Sequence, residues 1–371
     1  MTVEETKCIF CRRESGRVDW EENGFTGKRC DCGLLYVSPR PEMKEILSWY
    51  NSDEANGGAR SRIRSEIWGR LNALHRLRIL RRYKRQGDLL EIGPGSGYFL
   101  DESRRPGFNP FGIELNLRQS SFIKEKLKIQ VETSPFRDSS FNGILFDVIC
   151  HFDVISHFFD PISECKQFHK RLKEGGILFF ETGNGGDLSK KWLKFIGRLQ
   201  YPHHLFLFSS RNIEQLCQET GFKIVRVYRY SILFHLVAMK CFKYFKYIFL
   251  KKTGKAEVKK TTRGFRGEVK NDKLVKSPKN VTPVETGVQN QLKSLDSGFR
   301  RNDEKRTKRT FYETIKNDSM WKIFLLRIAI RVNLLIRYKI GKWLPKIGPQ
   351  TVIYVAKKQS VVDVEQNNKN G

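Results

Sequence analysis

A glycine-rich turn that directly follows a short apolar strand is the stretch of this chain best suited to hold a ligand. Residues 88–97 read Asp-Leu-Leu-Glu-Ile-Gly-Pro-Gly-Ser-Gly. Because glycine has no Cβ and adopts positive φ without strain, such a turn brings backbone N–H groups close to a bound molecule. Glu91 lies at the end of the strand, where its carboxylate would repel a diphosphate and attract an ammonium group. The turn therefore predicts a pocket for a nucleotide-like ligand that carries an amino group.

The spacing of the glycines separates two kinds of nucleotide pocket. A dinucleotide fold requires Gly-x-Gly-x-x-Gly, whereas this chain has Gly-x-Gly-x-Gly, with Tyr98 at the place of the third fingerprint glycine. Glu114 ends the next predicted strand, about 20 residues further on, where a carboxylate can accept hydrogen bonds from both ribose hydroxyls. Enzymes that bind a dinucleotide and enzymes that bind a single nucleoside both use this device. Glu114 therefore predicts a nucleoside and does not decide between these two classes of enzyme.

Four cysteines near the N-terminus have the spacing of metal ligands. They form the pairs Cys8-x2-Cys11 and Cys30-x-Cys32. In a reducing compartment, close pairs of this kind indicate a tetrahedral zinc site rather than disulfides. We therefore predict a zinc-ribbon-like segment over residues 1–40, with four free thiols as the alternative. The other cysteines stand singly among apolar residues and are predicted to be small core residues: Cys150, Cys165, Cys217 and Cys241.

Several segments, in the correct order, resemble motifs of the class I S-adenosylmethionine-dependent methyltransferases. They are the glycine turn at 91–97, the Asp-Val…His…Asp-Pro pattern within 146–161, Leu-Lys-Glu-Gly-Gly at 172–176, and the His…Phe-Ser…Gly-Phe pattern over 204–222. The run 32–41 resembles the segment that joins an N-terminal zinc ribbon to the catalytic domain in one bacterial branch of that family. The resemblance implies S-adenosylmethionine as the methyl donor, and it implies these cofactor-binding residues: Glu91, Gly93, Pro94, Gly95, Ser96, Gly97, Glu114 and Asp153.

Three histidines are candidates for a catalytic role. His157 follows the fourth predicted strand, beside the donor pocket, and a loop-packing role is an equal alternative for it. His203 and His204 lie where the resemblance places the methyl acceptor. A histidine there can remove the acceptor proton, since its unperturbed pKa is about 6.5. Either residue can equally belong to a lid, and the sequence leaves this open.

The alternation of strands and helices predicts an α/β fold. The resemblance makes this a doubly wound, seven-stranded Rossmann-like methyltransferase sheet with an antiparallel last strand, built from residues 87–230 and 349–358. A helical linker, 41–86, precedes it, with a helix over 42–50 and a second, amphipathic helix after a break at Gly57–Gly58. The arginine face of this helix is predicted to be solvated, and its apolar stripe to pack on the sheet: Ile63, Ile67, Leu71, Leu74, Leu77 and Leu80.

More than a hundred residues separate the last two predicted strands, and they carry most of the net charge. Residues 231–371 hold 32 Lys and Arg against 11 Asp and Glu, which is +21 of the total +29. Basic aromatic helices are predicted at 231–252 and 320–344. The polar stretch between them, 253–318, is predicted to be disordered, as is the tail 359–371. Within the insertion, 282–303 resembles the translated short palindromic repeats of some bacterial genomes, which implies that its charge signals no ligand.

The sequence thus predicts a methyltransferase that acts on a small-molecule, sugar or lipid-linked acceptor. Nucleic acid is disfavoured as an acceptor because the basic excess lies mainly in the insertion. A polar, acidic N-terminus and the lack of an apolar run of ~18 residues predict a cytoplasmic protein, with peripheral membrane contact through the two basic helices. The alternatives are an NAD-dependent reductase or epimerase, and a non-catalytic module that binds nucleic acid or a membrane surface.

Overall fold

The computed structural model describes residues 1–105, 107–237, 240, 328, 332, 334–343 and 348–359. The predicted insertion, the tail beyond Gln359, Cys241 and most of the two basic helices lie outside these residues. Apart from Ile328, the described residues belong to one compact unit. Among the helices in these ranges, none is both long and apolar enough to cross a lipid bilayer.

The strands of the described chain are β1 (Val3–Glu4), β2 (Val18–Glu22), β3 (Phe25–Arg29), β4 (Leu35–Val37), β5 (Arg40–Pro41), β6 (Gly87–Ile92), β7 (Phe108–Ile113), β8 (Gln130–Glu132), β9 (Phe146–Phe152), β10 (Leu172–Gly183), β11 (Phe206–Leu207), β12 (Phe222–Ser231) and β13 (Gln350–Lys358). The α-helices are α1 (Met43–Trp49), α2 (Asp53–Arg64), α3 (Glu66–Leu80), α4 (Tyr98–Ser103), α5 (Leu117–Phe122), α6 (Pro161–Arg171), α7 (Lys190–Ile196), α8 (Ser210–Glu219) and α9 (Gly341–Trp343). Short π-helices cover Ile123–Leu127 and Leu335–Ile340, and 3-10 turns cover Phe136–Asp138, Ser140–Gly143, Ile155–His157 and Gly185–Asp187.

The central sheet has seven strands in the order β12-β13-β10-β9-β6-β7-β8. Strands β10, β9, β6, β7 and β8 are parallel, and β13 lies antiparallel between β10 and β12. The predicted methyltransferase sheet with an antiparallel last strand is confirmed. A dinucleotide fold has six parallel strands, so the inserted antiparallel strand argues against the reductase alternative.

Alternate residues of the parallel strands fill two separate cores, one on each face of the sheet. Leu89 and Val148 face a core that includes α3 and α4, whereas Leu90 and Ile149 face a core that includes α6 and α8. All four side chains are fully buried, and each contributes roughly 1.5–3 kcal/mol through the hydrophobic effect. The two covered faces leave the carboxyl edge of the sheet as the accessible surface on which a site can form.

The helical linker differs from its prediction in the position of the helix break. The predicted break at Gly57–Gly58 is wrong, because α2 runs through both glycines and the chain bends at Ser65. Ser52 caps α2 by accepting a hydrogen bond from the N–H of Ala55 (3.2 Å). Such a cap stabilises a helix by about 1 kcal/mol, and it offsets part of the cost of the glycines, which is about 1 kcal/mol each relative to alanine.

The buried stripe of α3 also differs from its prediction. Leu74 is 45% exposed, whereas the polar Asn72 is buried. Asn72 accepts a hydrogen bond from the hydroxyl of Tyr338 (3.0 Å), a residue 266 positions further along the chain. Helical periodicity alone assigns Asn72 to the solvent side of α3. The hydrogen bond from Tyr338 satisfies its buried amide, and a partner so distant in sequence cannot be seen from that periodicity.

The predicted solvated arginine face of α3 is wrong for two residues. Arg70 pairs with two carboxylates of α4, and Arg76 points inward to pair with Glu181 at the end of β10 (3.0 Å). Arg78, the remaining arginine of α3, stays exposed and, with the arginines that follow the helix, contributes to a cleft of about 640 Å³. Its lining residues are Leu74, Leu77, Arg78, Arg81, Arg82, Arg85, Glu102 and Arg105.

The N-terminal ribbon shares its sheet with the second half of the chain. Strands β2, β3 and β4 form an antiparallel sheet that β11 completes, in the order β11-β4-β3-β2. Arg29 pairs with Asp19 and donates hydrogen bonds to the carbonyls of Gly186 (2.6 Å) and Leu188 (3.0 Å). A common apolar core joins the two parts: Phe25, Leu35, Val37, Leu188, Leu193, Leu199 and Tyr201. The ribbon is therefore anchored on the segment after β10.

Gly186 lies where this anchoring is tightest, and we predict that Gly186→Ala destabilises the protein by about 2–3 kcal/mol. A Cβ at this position would lie 2.5 Å from the carbonyl carbon of Phe208 and 2.9 Å from the carbonyl oxygen of Gly33, so backbone would have to move. Gly183→Ala is the control, because its Cβ would meet only the carbonyl oxygen of Gln350 at 3.9 Å. Urea unfolding measures both variants, and equal stability would contradict the prediction.

Candidate active site

Backbone hydrogen bonds align the ends of the five parallel strands at one edge of the sheet. The N–H of Gly93 donates to β7 (2.8 Å), that of Glu114 donates to β8 (2.8 Å), and that of Asp153 donates to the carbonyl of Glu181 (2.9 Å). The residues that follow β6, β7 and β9 are therefore brought side by side with the last residues of β10. Ligands of open parallel sheets bind at this edge.

The glycine turn has the backbone conformation that its sequence predicts. Gly93, Gly95 and Gly97 have φ angles of 66°, 59° and 72°. A Cβ on Gly93 would lie 2.8 Å from a methyl group of Val154, and a Cβ on Gly97 would lie 2.7 Å from Ile123. The first and third glycines are thus required for packing, whereas the middle one faces only the flexible amide of Gln119. Gly95 is consequently the position at which a ligand can approach the turn.

Glu114 folds back onto this turn. One oxygen of its buried carboxylate accepts a hydrogen bond from the N–H of Gly95 (2.8 Å), and the other accepts one from the N–H of Asn116 (2.9 Å). Burial raises the pKa of Glu114 to about 7, although these two hydrogen bonds and the nearby Arg62 favour the ionised form. Each carboxylate oxygen retains a second lone pair, so the group can still accept hydrogen bonds from hydroxyls.

Glu91 is buried beside the turn without a hydrogen-bond donor for one of its oxygens. Its relative exposure is 3%, and its Oε2 atom has no partner among the described residues. Burial, opposed by Arg76 and assisted by the carboxylate of Glu114, raises the pKa of Glu91 to about 8. A buried carboxyl that lacks a hydrogen-bond donor and has a raised pKa is suited to receive a cationic group.

Further polar atoms around the turn are buried and lack a protein partner. In the described chain these include the Oγ of Ser96 and the Nε2 of Gln119, and the Nε1 of Trp49 at the end of α1 is also without a partner. The adjacent Pro94 is also buried. Unsatisfied buried polar groups are rare in folded proteins, and their concentration at one turn fits a pocket for a polar ligand. The residues present therefore fit a donor with an ammonium group and a hydroxylated sugar.

Asp153 and Glu181 form a charged cluster with two arginines at the same edge. Glu181 accepts hydrogen bonds from Arg76 through both oxygens (3.0 Å each) and one from Arg337 (3.2 Å). Asp153 has a φ of 58° and a side chain that remains accessible. The surrounding protein and the carboxylate of Glu181 raise the pKa of Asp153 to about 6, while the two arginines oppose this. Asp153 thus lines the open side of the cleft, and Arg337 connects the C-terminal part of the chain to it.

The linker between α1 and α2 covers the carboxyl edge, and sequence reasoning did not identify its role. The amide of Asn51 bonds the N–H of Leu117 (2.9 Å), and Asn116 donates to the carbonyl of Tyr50 (2.6 Å). Burial and the carboxylate of Glu114 raise the pKa of Tyr50 to about 12. Trp49 and Tyr50 therefore belong to the wall of the cleft. Two adjacent aromatic residues at a helix end were the only sequence signal for this.

The three candidate histidines are brought together in one cluster. The rings of His157 and His204 lie 4.7 Å apart, and His203 contacts the indole of Trp49 with ring centroids 3.7 Å apart. Arg62 influences the pKa of His157 as it does those of Tyr50 and Glu114, so these three groups lie in the neighbourhood of one guanidinium.

All three imidazoles are neutral at pH 7. Burial and the two neighbouring histidines lower the pKa of His157 to about 3. Burial, His204 and Arg198 lower the pKa of His203 to about 4, and burial also lowers that of His204. A neutral imidazole can accept a proton from a bound substrate, whereas a charged one cannot.

The four N-terminal cysteines converge as the sequence predicts. Their sulfur atoms lie within 4.8 Å of one another, with 3.5 Å between Cys8 and Cys32 and 3.2 Å between Cys11 and Cys30. A tetrahedron of thiolates around Zn²⁺ has edges of about 3.8 Å. Backbone N–H groups of residues 10 and 11 point to the Cys8 sulfur, and that of Cys32 points to Cys30. The donor set therefore fits a structural zinc ion.

Among the single cysteines, Cys150, Cys165 and Cys217 are buried core residues.

The protonation of Glu91 predicts a pH-dependent stability. The folded protein keeps this proton up to about pH 8, whereas the unfolded chain releases it near 4.5. Stability contributed by the protonated group is therefore lost as pH rises through this window. We expect Glu91→Gln to gain stability relative to wild type between pH 5.5 and 8.5, on the order of 2 kcal/mol.

Urea unfolding at the two pH values measures this gain. Glu125→Gln is the matched control, since Glu125 is exposed in the π-helix after α5. The prediction fails if the stability difference between Glu91→Gln and wild type does not change with pH.

The cysteine cluster predicts a metal content of about one zinc ion per chain. Cys11→Ser removes one ligand, and we expect loss of zinc and a lower melting temperature. Cys217→Ser is the control, because Cys217 is buried in α8, outside the four-cysteine cluster. Elemental analysis of protein purified without chelator measures the metal. A wild-type chain that neither contains zinc nor is stabilised by added zinc would contradict the site.

Comparison with known proteins agrees with this geometry. Residues 64–227 match a family model described as a methyltransferase domain. A tRNA U34 carboxymethyltransferase of Campylobacter lari is 29% identical over 144 residues, which are 36% of this chain and 48% of that protein. A ubiquinone biosynthesis O-methyltransferase of Aliivibrio fischeri is 22% identical over 144 residues, covering 35% of this chain and 62% of that protein. The chain thus spans about half to three-fifths of these curated relatives.

Solved structures are similar at low sequence identity. A phosphoethanolamine N-methyltransferase 2 of Haemonchus contortus, in complex with S-adenosyl-L-methionine, has a TM-score of 0.38 and 17% identity, covering 77% of this chain and 52% of that one. A methyltransferase structure from Bacillus halodurans has a TM-score of 0.41 and 11% identity, covering 77% and 99%. Residues 64–227 are a methyltransferase domain by the matched family model, and the strand order and the glycine turn agree with the class I, S-adenosylmethionine-dependent type.

Proposed function

We propose that the chain transfers the methyl group of S-adenosylmethionine to a small-molecule acceptor held between the carboxyl edge of the sheet and the histidine cluster. The observation that carries the proposal is the set of unpartnered buried polar atoms around Gly95, together with the nearby cluster of three histidines whose pKa values are lowered by burial. Such a site has polar groups for a donor on one side and proton acceptors for a substrate on the other. When bound, the donor supplies an electrophilic methyl group.

The donor side is assigned by charge and hydrogen-bonding capacity. We assign Glu91 to the ammonium group of the donor, because its buried carboxyl gains a counter-charge there. Glu114 is assigned to the ribose hydroxyls, since its oxygens keep free lone pairs beside the N–H of Gly95. Pro94 and Ser96 complete the turn, and Asp153 lines the cleft toward the acceptor.

The acceptor side is assigned to the histidines. His203 is half-buried against Trp49 and is the candidate base that a substrate can reach. The ring of His157 hydrogen-bonds the backbone of His203, and this hydrogen bond uses only one of its two ring nitrogens. The enzyme's own contribution is to orient the acceptor atom toward the methyl group and to accept its proton. Orientation of this kind can supply much of the rate acceleration.

A small acceptor agrees with the walls of the cleft. Trp49, Tyr50 and the three histidines are half-buried and close around the edge of the sheet. This accommodates a sugar, a lipid-linked intermediate or another compound of similar size better than a folded macromolecule. One relative is named for ubiquinone biosynthesis, and another is named for tRNA, so the experiments must separate these two classes.

Donor binding is tested by titrating S-adenosylhomocysteine into wild type and Gly95→Arg in a calorimeter. We expect wild type to bind and the variant to lose at least about 100-fold in affinity, because the arginine side chain fills the approach to the turn. Gly16→Arg is the matched control: a Cβ at Gly16 has no atom within 4 Å, and its φ is not in the left-handed range. Equal binding by wild type and Gly95→Arg would contradict the proposed site.

The acceptor class is tested with methyl-labelled S-adenosylmethionine and a cell extract. We expect the label to appear in the low-mass fraction after ultrafiltration, and this transfer to be absent with Gly95→Arg. Label that remains with RNA or protein, and is removed by ribonuclease or protease, would contradict a small-molecule acceptor while leaving the donor site intact.

A further inference from the structure

The tip of the β2–β3 hairpin in the ribbon binds the loop that leads to the candidate histidines. The Glu22 carboxylate accepts hydrogen bonds from the N–H groups of Leu199 (2.7 Å) and Gln200 (3.1 Å), and it pairs with Arg198 (3.4 Å). The Glu22 side chain is only 12% exposed. Two consecutive backbone donors and a guanidinium match a group that only accepts hydrogen bonds, which is the chemistry of an ionised carboxylate.

The next residue of the hairpin continues this contact. Asn23 has a φ of 56° and donates a hydrogen bond through its amide to the carbonyl of Tyr201 (2.7 Å). The ring of Tyr201 is fully buried against Gly27 of β3, where a Cβ would lie 2.5 Å from the tyrosine hydroxyl. Only glycine at position 27 admits this ring. The hairpin thus determines the path of the chain at residues 198–201.

The loop at residues 198–201 is followed closely by His203 and His204, and the chain after them pairs with the ribbon again. The carbonyl of Gln200 accepts hydrogen bonds from the N–H groups of His203 (2.9 Å) and His204 (3.3 Å). The carbonyl of Leu205 then accepts one from Val37 of the ribbon (2.9 Å), and β11 pairs with β4. Both ends of the segment that carries His203 and His204 are therefore held by the ribbon.

We propose that Glu22 is a positioning residue for His203, so that the N-terminal ribbon forms part of the acceptor site rather than only an attached stabilising segment. This inference rests on the proposed function, which assigns the acceptor to the histidine side of the cleft. Glu22 acts through the loop: its carboxylate fixes Leu199 and Gln200, and the carbonyl of Gln200 fixes the histidine backbone. Loss of these contacts allows His203 to leave Trp49.

The contact between His203 and Trp49 supplies a direct readout. With ring centroids 3.7 Å apart, the indole shifts the His203 ring signals in an NMR spectrum of protein with labelled histidine, and His203→Gln assigns them. We expect Glu22→Gln to move the His203 signals toward the positions of a free histidine, because glutamine has one acceptor oxygen in place of two and no charge to pair with Arg198. Affinity for S-adenosylhomocysteine and zinc content remain those of wild type.

Two further variants complete the experiment. Glu21→Gln is the matched control, since Glu21 is the exposed neighbour of Glu22 on the same strand. Asn23→Gly removes the second anchor without strain, because glycine suits the positive φ, and we expect it to displace the same signals. Label transfer to the low-mass fraction at saturating donor falls at least about tenfold in Glu22→Gln and Asn23→Gly, and not in Glu21→Gln.

The possible failures are distinguishable. If wild type does not bind S-adenosylhomocysteine, the proposed function fails whatever the histidine signals show. If wild type binds it, and the His203 signals of Glu22→Gln and Asn23→Gly coincide with those of wild type, the positioning role is overturned and the methyltransferase assignment stands.

Discussion

Two carboxyl groups buried at the carboxyl edge of the sheet determine what this site can do. In the described chain neither Glu91 nor Glu114 is hydrogen-bonded to a basic side chain, and burial raises the pKa of both, to about 8 and about 7. A fold that holds two acids in this state sacrifices stability. A ligand with an ammonium group and sugar hydroxyls removes that cost, so the glycine turn and the close packing at Gly93 and Gly97 can be understood as the means of bringing such a ligand to these acids.

The opposite wall of the cleft comes from parts of the chain that are distant in sequence. Trp49 and Tyr50 belong to the linker before the sheet, the histidines to loops after β9 and β10, and Arg337 to the segment that precedes the last strand. The ribbon connects to this wall through Glu22 and through β11. Under the proposed assignment, one continuous turn binds the donor and separate segments form the acceptor wall, so the acceptor can change while the donor chemistry is retained.

The sequence predicted the features that local rules determine. Glycines that require positive φ, strand ends that carry acids and paired cysteines are short-range signals, and Glu91, Glu114 and the four cysteines follow from them. The sequence failed where long-range contacts decide. Tyr338 satisfies Asn72, and Glu181 draws Arg76 inward. The roles of Trp49 and Glu22 were invisible for the same reason, since each depends on a partner more than 150 residues away. The break predicted at Gly57–Gly58 is a different case, because the local cap at Ser52 and the buried alanines of α2 keep the helix continuous there.

The central claim is that Glu91 is protonated in the ligand-free site and ionises when an ammonium group arrives. Calorimetric titration of S-adenosylhomocysteine at pH 7, repeated in buffers of different ionisation enthalpy, counts the protons exchanged on binding. Because Glu114 can release part of a proton in both proteins, the account predicts that wild type releases nearly one proton more than Glu91→Gln. Binding without proton release, or the same release by both proteins, would contradict it.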